Sequence, residues 1–130
     1  MKTEPNDNML AVCNFNYLSE LMGGKTLLMK KLMDAFLIQA KEELTSINNA
    51  ILKKDYTTIK NLAHTMRSSV SIMGIAVLQP ILQEMEDLGK KETSFERIMV
   101  LNKQLHLICT QAFEEIKKYT PSLEKSSTNN

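Results

Sequence analysis

The residues best suited to chemistry lie in the stretch Asn61-Leu62-Ala63-His64-Thr65-Met66-Arg67-Ser68-Ser69-Val70-Ser71-Ile72-Met73-Gly74. From Tyr56 onward, apolar residues recur at helical spacing: Ile59, Leu62, Ala63, Met66, Val70 and Met73. At about 100° per residue they fall within an arc of roughly 100°, a single buried stripe. His64 lies about 140° from the centre of that stripe, on the wet face of the same helix. Lys60, Arg67, Ser68 and Ser71 share its face. An imidazole with an unperturbed pKa near ~6.5 is largely neutral around pH 7. Two adjacent cations disfavour the imidazolium and so keep a ring nitrogen free to attack. The same cations would pair with the oxygens of an anionic group carried on that nitrogen. The short hydroxyls in front leave room for in-line approach. Ile72 falls on the solvent side about 80° from His64, an apolar contact point for a partner. His106 has none of this setting: it lies about 100° from the centre of its own helix stripe, a core-edge position without basic neighbours.

The elements that must position His64 follow from the same periodicity. Residues 1–12 are polar and short of packing residues, which predicts a loose segment. Asn16 is placed to cap a short helix, Tyr17 to Met22, ended by Gly23-Gly24. A long helix is expected from Lys25 to Lys53, with the stripe Leu28, Met29, Leu32, Phe36, Ala40, Leu44, Ile47 and Ile51. Asp55 reads as the N-cap of the histidine helix, which Gly74 stops. The next helix spans Ala76 to Leu88, with Pro80 in its first turn and Gly89 as its stop. Its buried face is Leu78, Ile81, Leu82, Met85 and Leu88. Thr93-Ser94-Phe95-Glu96 has the form of a capping box. It opens a helix to Tyr119 with the stripe Ile98, Leu101, Leu105, Ile108, Ala112 and Ile116, ended by Pro121. Residues 121–130 are Ser-, Thr- and Asn-rich and predict a disordered tail. Four amphipathic helices with short connections define an all-α fold, an antiparallel up-down-up-down four-helix bundle over residues 13–120 with one short additional N-terminal helix.

The totals agree. Nine Met, three Pro, four Gly and 5% aromatic residues suit helices better than sheet. A formal net charge of +1 argues against a nucleic-acid binder, which carries a marked basic excess. Cys13 and Cys109 have neither pair spacing nor a metal pattern, as reduced thiols of a cytoplasmic protein would. No apolar run approaches membrane-spanning length, so no membrane partner is expected. A bundle with every stripe buried predicts a monomer.

The stretch Ala63-His64-x-Met66-Arg67-Ser68-Ser69, with Gly74 ten residues after the histidine, resembles the motif of histidine-containing phosphotransfer (HPt) domains. The resemblance extends from about Phe15 to Tyr119. It implies a four-helix bundle that carries a phosphoryl group on His64, through Nε2, between receiver-domain aspartates of a two-component phosphorelay. Arg67 stands where the family commonly has lysine, Met66 where it has leucine, and Gly74 matches the closing glycine. Ser68 replaces a common glycine and tightens clearance in front of the ring. Val70 replaces a small residue but faces the core. Lys60, Arg67, Ser68, Ser71 and Ile72 are the expected phosphoryl-stabilising or receiver-binding patch. The chain has no P-loop or glycine-rich nucleotide motif, so the resemblance implies a phosphocarrier without kinase activity. No metal ligand set is evident near His64; Mg²⁺ would come with the receiver domain. The alternative is a non-phosphorylated adaptor bundle that binds a receiver through the same face.

Overall fold

Helical periodicity, short turns and well-placed caps produce five helices, seen in a computed structural model that describes residues 11–129. They are α1 (Phe15–Leu21), α2 (Thr26–Leu52), α3 (Tyr56–Ile72), α4 (Leu78–Lys91) and α5 (Phe95–Asn129). Each of α2 to α5 packs on the next, and α5 closes the ring against α2. This is the up-down-up-down bundle the periodicity requires, with α1 resting on α2. Most of the expected loose segment, residues 1–10, lies outside the described residues, as does Asn130.

The histidine helix forms as its pattern dictates. Asp55 caps it, its carboxylate accepting from the Thr58 amide at 3.1 Å and the Thr58 hydroxyl at 2.6 Å. Those two bonds hold the Asp55 carboxyl below its usual range. Ile59, Ala63, Met66, Val70 and Met73 are buried, and Leu62 packs partly against them. On α2 the stripe is centred slightly differently: Met33 is fully buried while Leu28 is exposed, because Met29, Met33, Phe36, Ala40, Leu44 and Ile47 form a straighter row.

Four expectations about element ends are corrected by packing. The cap of α1 is Asn14, whose side chain accepts from the Tyr17 amide at 3.0 Å, so the helix starts two residues before the expected Tyr17. Gly89 does not stop α4, which runs on to Lys91 and ends at Glu92 with φ +54. Gly89 is instead buried against α3: a Cβ there would lie 3.1 Å from the Lys60 nitrogen and the Tyr56 carbonyl. The capping box is not used, since Ser94 has φ +55 and its own carbonyl accepts the first helical bond, from Ile98. Finally, α5 continues through Pro121 to Asn129, where a helix end and a disordered tail were expected. Proline removes one backbone donor. The Thr120 and Ser122 hydroxyls donate to the Ile116 and Tyr119 carbonyls, and Leu123 is buried in the core.

The segment before α1 is strapped down from Val12 onward. The Val12 and Cys13 amides donate to the two oxygens of Glu115, each at 2.8 Å, and Phe15 stacks on Tyr119 with centroids 4.1 Å apart. Burial and the Glu115 carboxylate push the Cys13 thiol far above its ordinary range, while burial and Glu43 push Cys109 up to about 12. Neither is a thiolate near pH 7. Removing the clamp leaves two partly buried donors without an acceptor. Glu115→Ala should therefore raise amide exchange at Val12 and Cys13 by tenfold or more, on the order of the ~1–3 kcal/mol such donors lose. Native-state hydrogen exchange checks this.

One buried acid works against the fold. Glu43 on α2 is 8% exposed, its Oε1 has no hydrogen-bond partner, and Gln39 donates to its Oε2 at a long 3.3 Å. Burial raises its pKa. An acid whose folded pKa lies above its unfolded one destabilises the fold as pH rises through that window. Glu43→Gln should raise the melting temperature at pH 7 and leave it nearly unchanged at pH 4, a difference that thermal melts at the two pH values would resolve.

Candidate functional site

His64 projects from the outer face of α3 with its side chain 69% exposed. It lines an open cleft of about 480 Å³ together with Arg67, Ser68, Ser71, Ile72 and Gln79. Five of the residues singled out by helical angle thus share one surface. Ile72 is 38% exposed there, and it also borders an apolar groove formed with Leu32, Ala35, Phe36 and Met73. Met66 and Val70 are buried on the opposite side of α3, where they hold the helix rather than touch the cleft. Lys60 does not line the cleft. Its stem lies where α4 comes closest at Gly89, so the expected pair of cations around the ring reduces to Arg67.

The residue that the reading of α3 missed is Glu86, on α4. Its Oε2 is 2.9 Å from His64 Nδ1, and its Oε1 accepts from Arg67 Nη1 at 3.0 Å. Burial pulls the Glu86 carboxyl upward, but the hydrogen bonds from Arg67 and His64 outweigh it and hold the group below its usual range. Its stabilising contribution is therefore present above the ordinary glutamate pKa and is lost as pH falls through the depressed value. An ionised carboxylate only accepts, so the neutral imidazole carries its proton on Nδ1 and its lone pair on Nε2. The ring is thereby oriented with Nδ1 toward α4, and its side chain stays open to solvent. Arg67 is not a free cation in this state, since it is paired with Glu86 while its Nε is buried without an acceptor.

Gln79 ties the two helices together beside the ring, its Nε2 donating to the Arg67 carbonyl at 2.8 Å. Gln79 and Glu86 are seven residues apart on one face of α4, both turned to α3. The signal that could have found them is Gly89, three residues on from Glu86, a small residue on the same seam. It marks the close approach that sets the register of α4 on α3. His106 is half-buried on α5 with its Nε2 unpartnered, and burial lowers its pKa. Among the described residues, no three His, Cys, Asp or Glu side chains are grouped so as to hold a metal ion, and no helix is long and apolar enough to cross a membrane.

The structure is thus of the class of small four-helix bundles that present one exposed histidine, paired through Nδ1, on an outer helix face. The Hpt domain family model matches residues 31–118, and the chain belongs to that family. Among solved structures, the chain is similar to the crystal structure of histidine-containing phosphotransfer protein B (HptB) from Pseudomonas aeruginosa PAO1. The TM-score is 0.79 at 20% identity, over 85% of this chain and 96% of that one, which establishes the shared fold. No curated protein matches.

Proposed function

We propose that this domain is a phosphocarrier in which His64 accepts a phosphoryl group from a receiver-domain aspartate and passes it to another. The observation that carries the reading is the pairing of Nδ1 with Glu86 on a ring that is otherwise in solvent, which leaves Nε2 unprotonated and accessible. Catalysis of phosphoryl transfer is mostly positioning and charge stabilisation. The cleft supplies part of both: Ser68 and Ser71 are small enough to admit a partner side chain, and Arg67, paired with Glu86 in this state, lines the cleft where phosphoryl oxygens would compete for it. Mg²⁺ and the acidic residues that hold it would come from the receiver, whose apolar surface would rest on Ile72 and the groove behind it.

Family membership and geometry favour this reading over a passive adaptor, because an adaptor has no use for a histidine with a fixed tautomer. The test is transfer of label from a phosphorylated receiver domain in the presence of Mg²⁺. Acid-labile, alkali-stable label on this chain supports the carrier. Binding of several receivers with no transfer from any would support the adaptor.

A further inference from the structure

We infer that the outer face of α5 is a self-pairing surface, through which two copies of this chain associate antiparallel about a two-fold axis at Leu107, with both His64 clefts left open.

The core takes one face of α5, the stripe from Ile98 to Ile116. The opposite face holds a second stripe. At about 100° per residue, Glu96, Val100, Lys103, Glu114 and Lys118 all fall within roughly 40° of Leu107. Every one of them is exposed. Two large apolar side chains thus stand in water on a helix whose core stripe lies elsewhere: Leu107 is 70% exposed and Val100 48%. They are seven residues apart, the repeat of a helix-pairing seam. The expectation of a monomer counts only the stripes that face the core.

The charges on this face determine what fits it. Glu96 lies eleven residues before Leu107, and Lys118 lies eleven after. When two α5 helices pack antiparallel with Leu107 on Leu107, residues equally far from Leu107 meet. Glu96 then faces Lys118 of the second copy, and Lys118 faces Glu96 of the second copy. Val100 lies against the methylene stem of the opposing Glu114, and Lys103 is within one helical turn of that carboxylate. The contact is isologous, so each pairing occurs twice. In a parallel arrangement every charge would meet itself, which disfavours it. Two acids and two bases leave the stripe without net charge, so a strongly acidic or basic partner gains little there. The charges are also available. Among the described residues Glu96, Lys103 and Lys118 form no ion pair, and Glu114 reaches only Lys117, at 4.0 Å.

The topology keeps the histidine clear. The ring order α2, α3, α4, α5 puts α3 diagonally opposite α5. His64 projects from the outer face of α3, so a pair joined through α5 carries its two clefts on its far sides. One helix stripe is small beside the ~800 Å² per partner of a standard interface, so the dimer is weak, with a Kd on the order of 10–100 µM.

Sedimentation equilibrium of the full chain, from tenfold below to tenfold above that Kd, tests this. Wild type should pass from monomer to dimer mass. Leu107→Glu brings two carboxylates together at the axis and should remain monomeric throughout. Glu96→Lys and Lys118→Glu each set like charges opposite one another twice per dimer, and each should raise the Kd about tenfold or more. The double variant restores both pairs in reverse and should return the Kd to that of wild type, a rescue that a damaged fold cannot give. Thermal melts report whether each variant is folded. A wild type that stays monomeric across the range overturns the proposal. So does a dimer that Leu107→Glu and the single charge reversals leave unchanged, since its contact then lies on another face. The readout is mass alone, so the result does not depend on whether His64 carries a phosphoryl group.

Discussion

Replacing His64 with Gln should reduce phosphoryl uptake from a receiver domain to background while leaving the fold intact. The side chain is 69% exposed and contributes nothing to the core stripe of Ile59, Ala63, Met66 and Val70, so its loss leaves packing untouched. Glutamine places a polar amide near the former ring position, where it has an N–H to offer Glu86 but no nitrogen lone pair to attack phosphorus. The other residues of the cleft are poor substitutes: Ser68 and Ser71 are hydroxyls, weak nucleophiles at their free pKa, and Glu86, the acid against the ring, is already engaged by Arg67. The measurement is label transfer beside receiver binding on the same variant. Retained binding with lost transfer identifies His64 as the nucleophile. Retained transfer in His64→Gln would remove the residue from consideration and place the phosphoryl group on another side chain.

Gly74→Ala should produce the largest loss of stability of the four possible glycine-to-alanine substitutions. Gly74 has φ +69, a conformation that disfavours any L side chain by about 1–2 kcal/mol. It also lies directly under the strap: an added Cβ would sit 2.8 Å from both the Asn14 Cβ and the Asn14 carbonyl oxygen. The strap cannot rise freely, because Glu115 holds the two residues before Asn14 and Tyr119 stacks on Phe15 just after it. The two effects add, and the melting temperature should drop by roughly 5–10 °C for a domain of this size. Since Asn14 caps α1, the same variant should raise exchange in that helix before the rest of the bundle. A melting temperature within a degree of wild type would show that the strap yields more easily than its contacts indicate. Gly74 is thus explained twice, as the residue that ends the histidine helix and as the one that lets the N-terminal segment cross its end.

Much of the site was legible one helix at a time. Helical angle alone put His64, Arg67, Ser68, Ser71 and Ile72 on one open face and Met66 on the other, because angle within a helix is a property of spacing. The Asp55 cap and the Gly74 stop are likewise local, each decided by bonds within a few residues. Four amphipathic helices joined by short turns leave little freedom in how they pair, so the bundle too followed from pattern.

Glu86 was not legible in this way. Whether a carboxylate on α4 meets a ring on α3 depends on the sliding register of two helices, and that is set by how closely their backbones approach at Gly89. The same close approach takes Lys60 out of the cleft. Asn14 outcompetes Asn16 as a cap because Glu115, a hundred residues away along the chain, fixes the strap. Pro121 sits inside α5 while Leu123 beyond it is buried in the core, so burial opposes a local break. Periodicity along the chain therefore accounts for the bundle and for the exposed histidine on its surface. The carboxylate that pairs with that ring comes from contacts between helices, whose register is fixed by side-chain volume rather than by spacing in the chain.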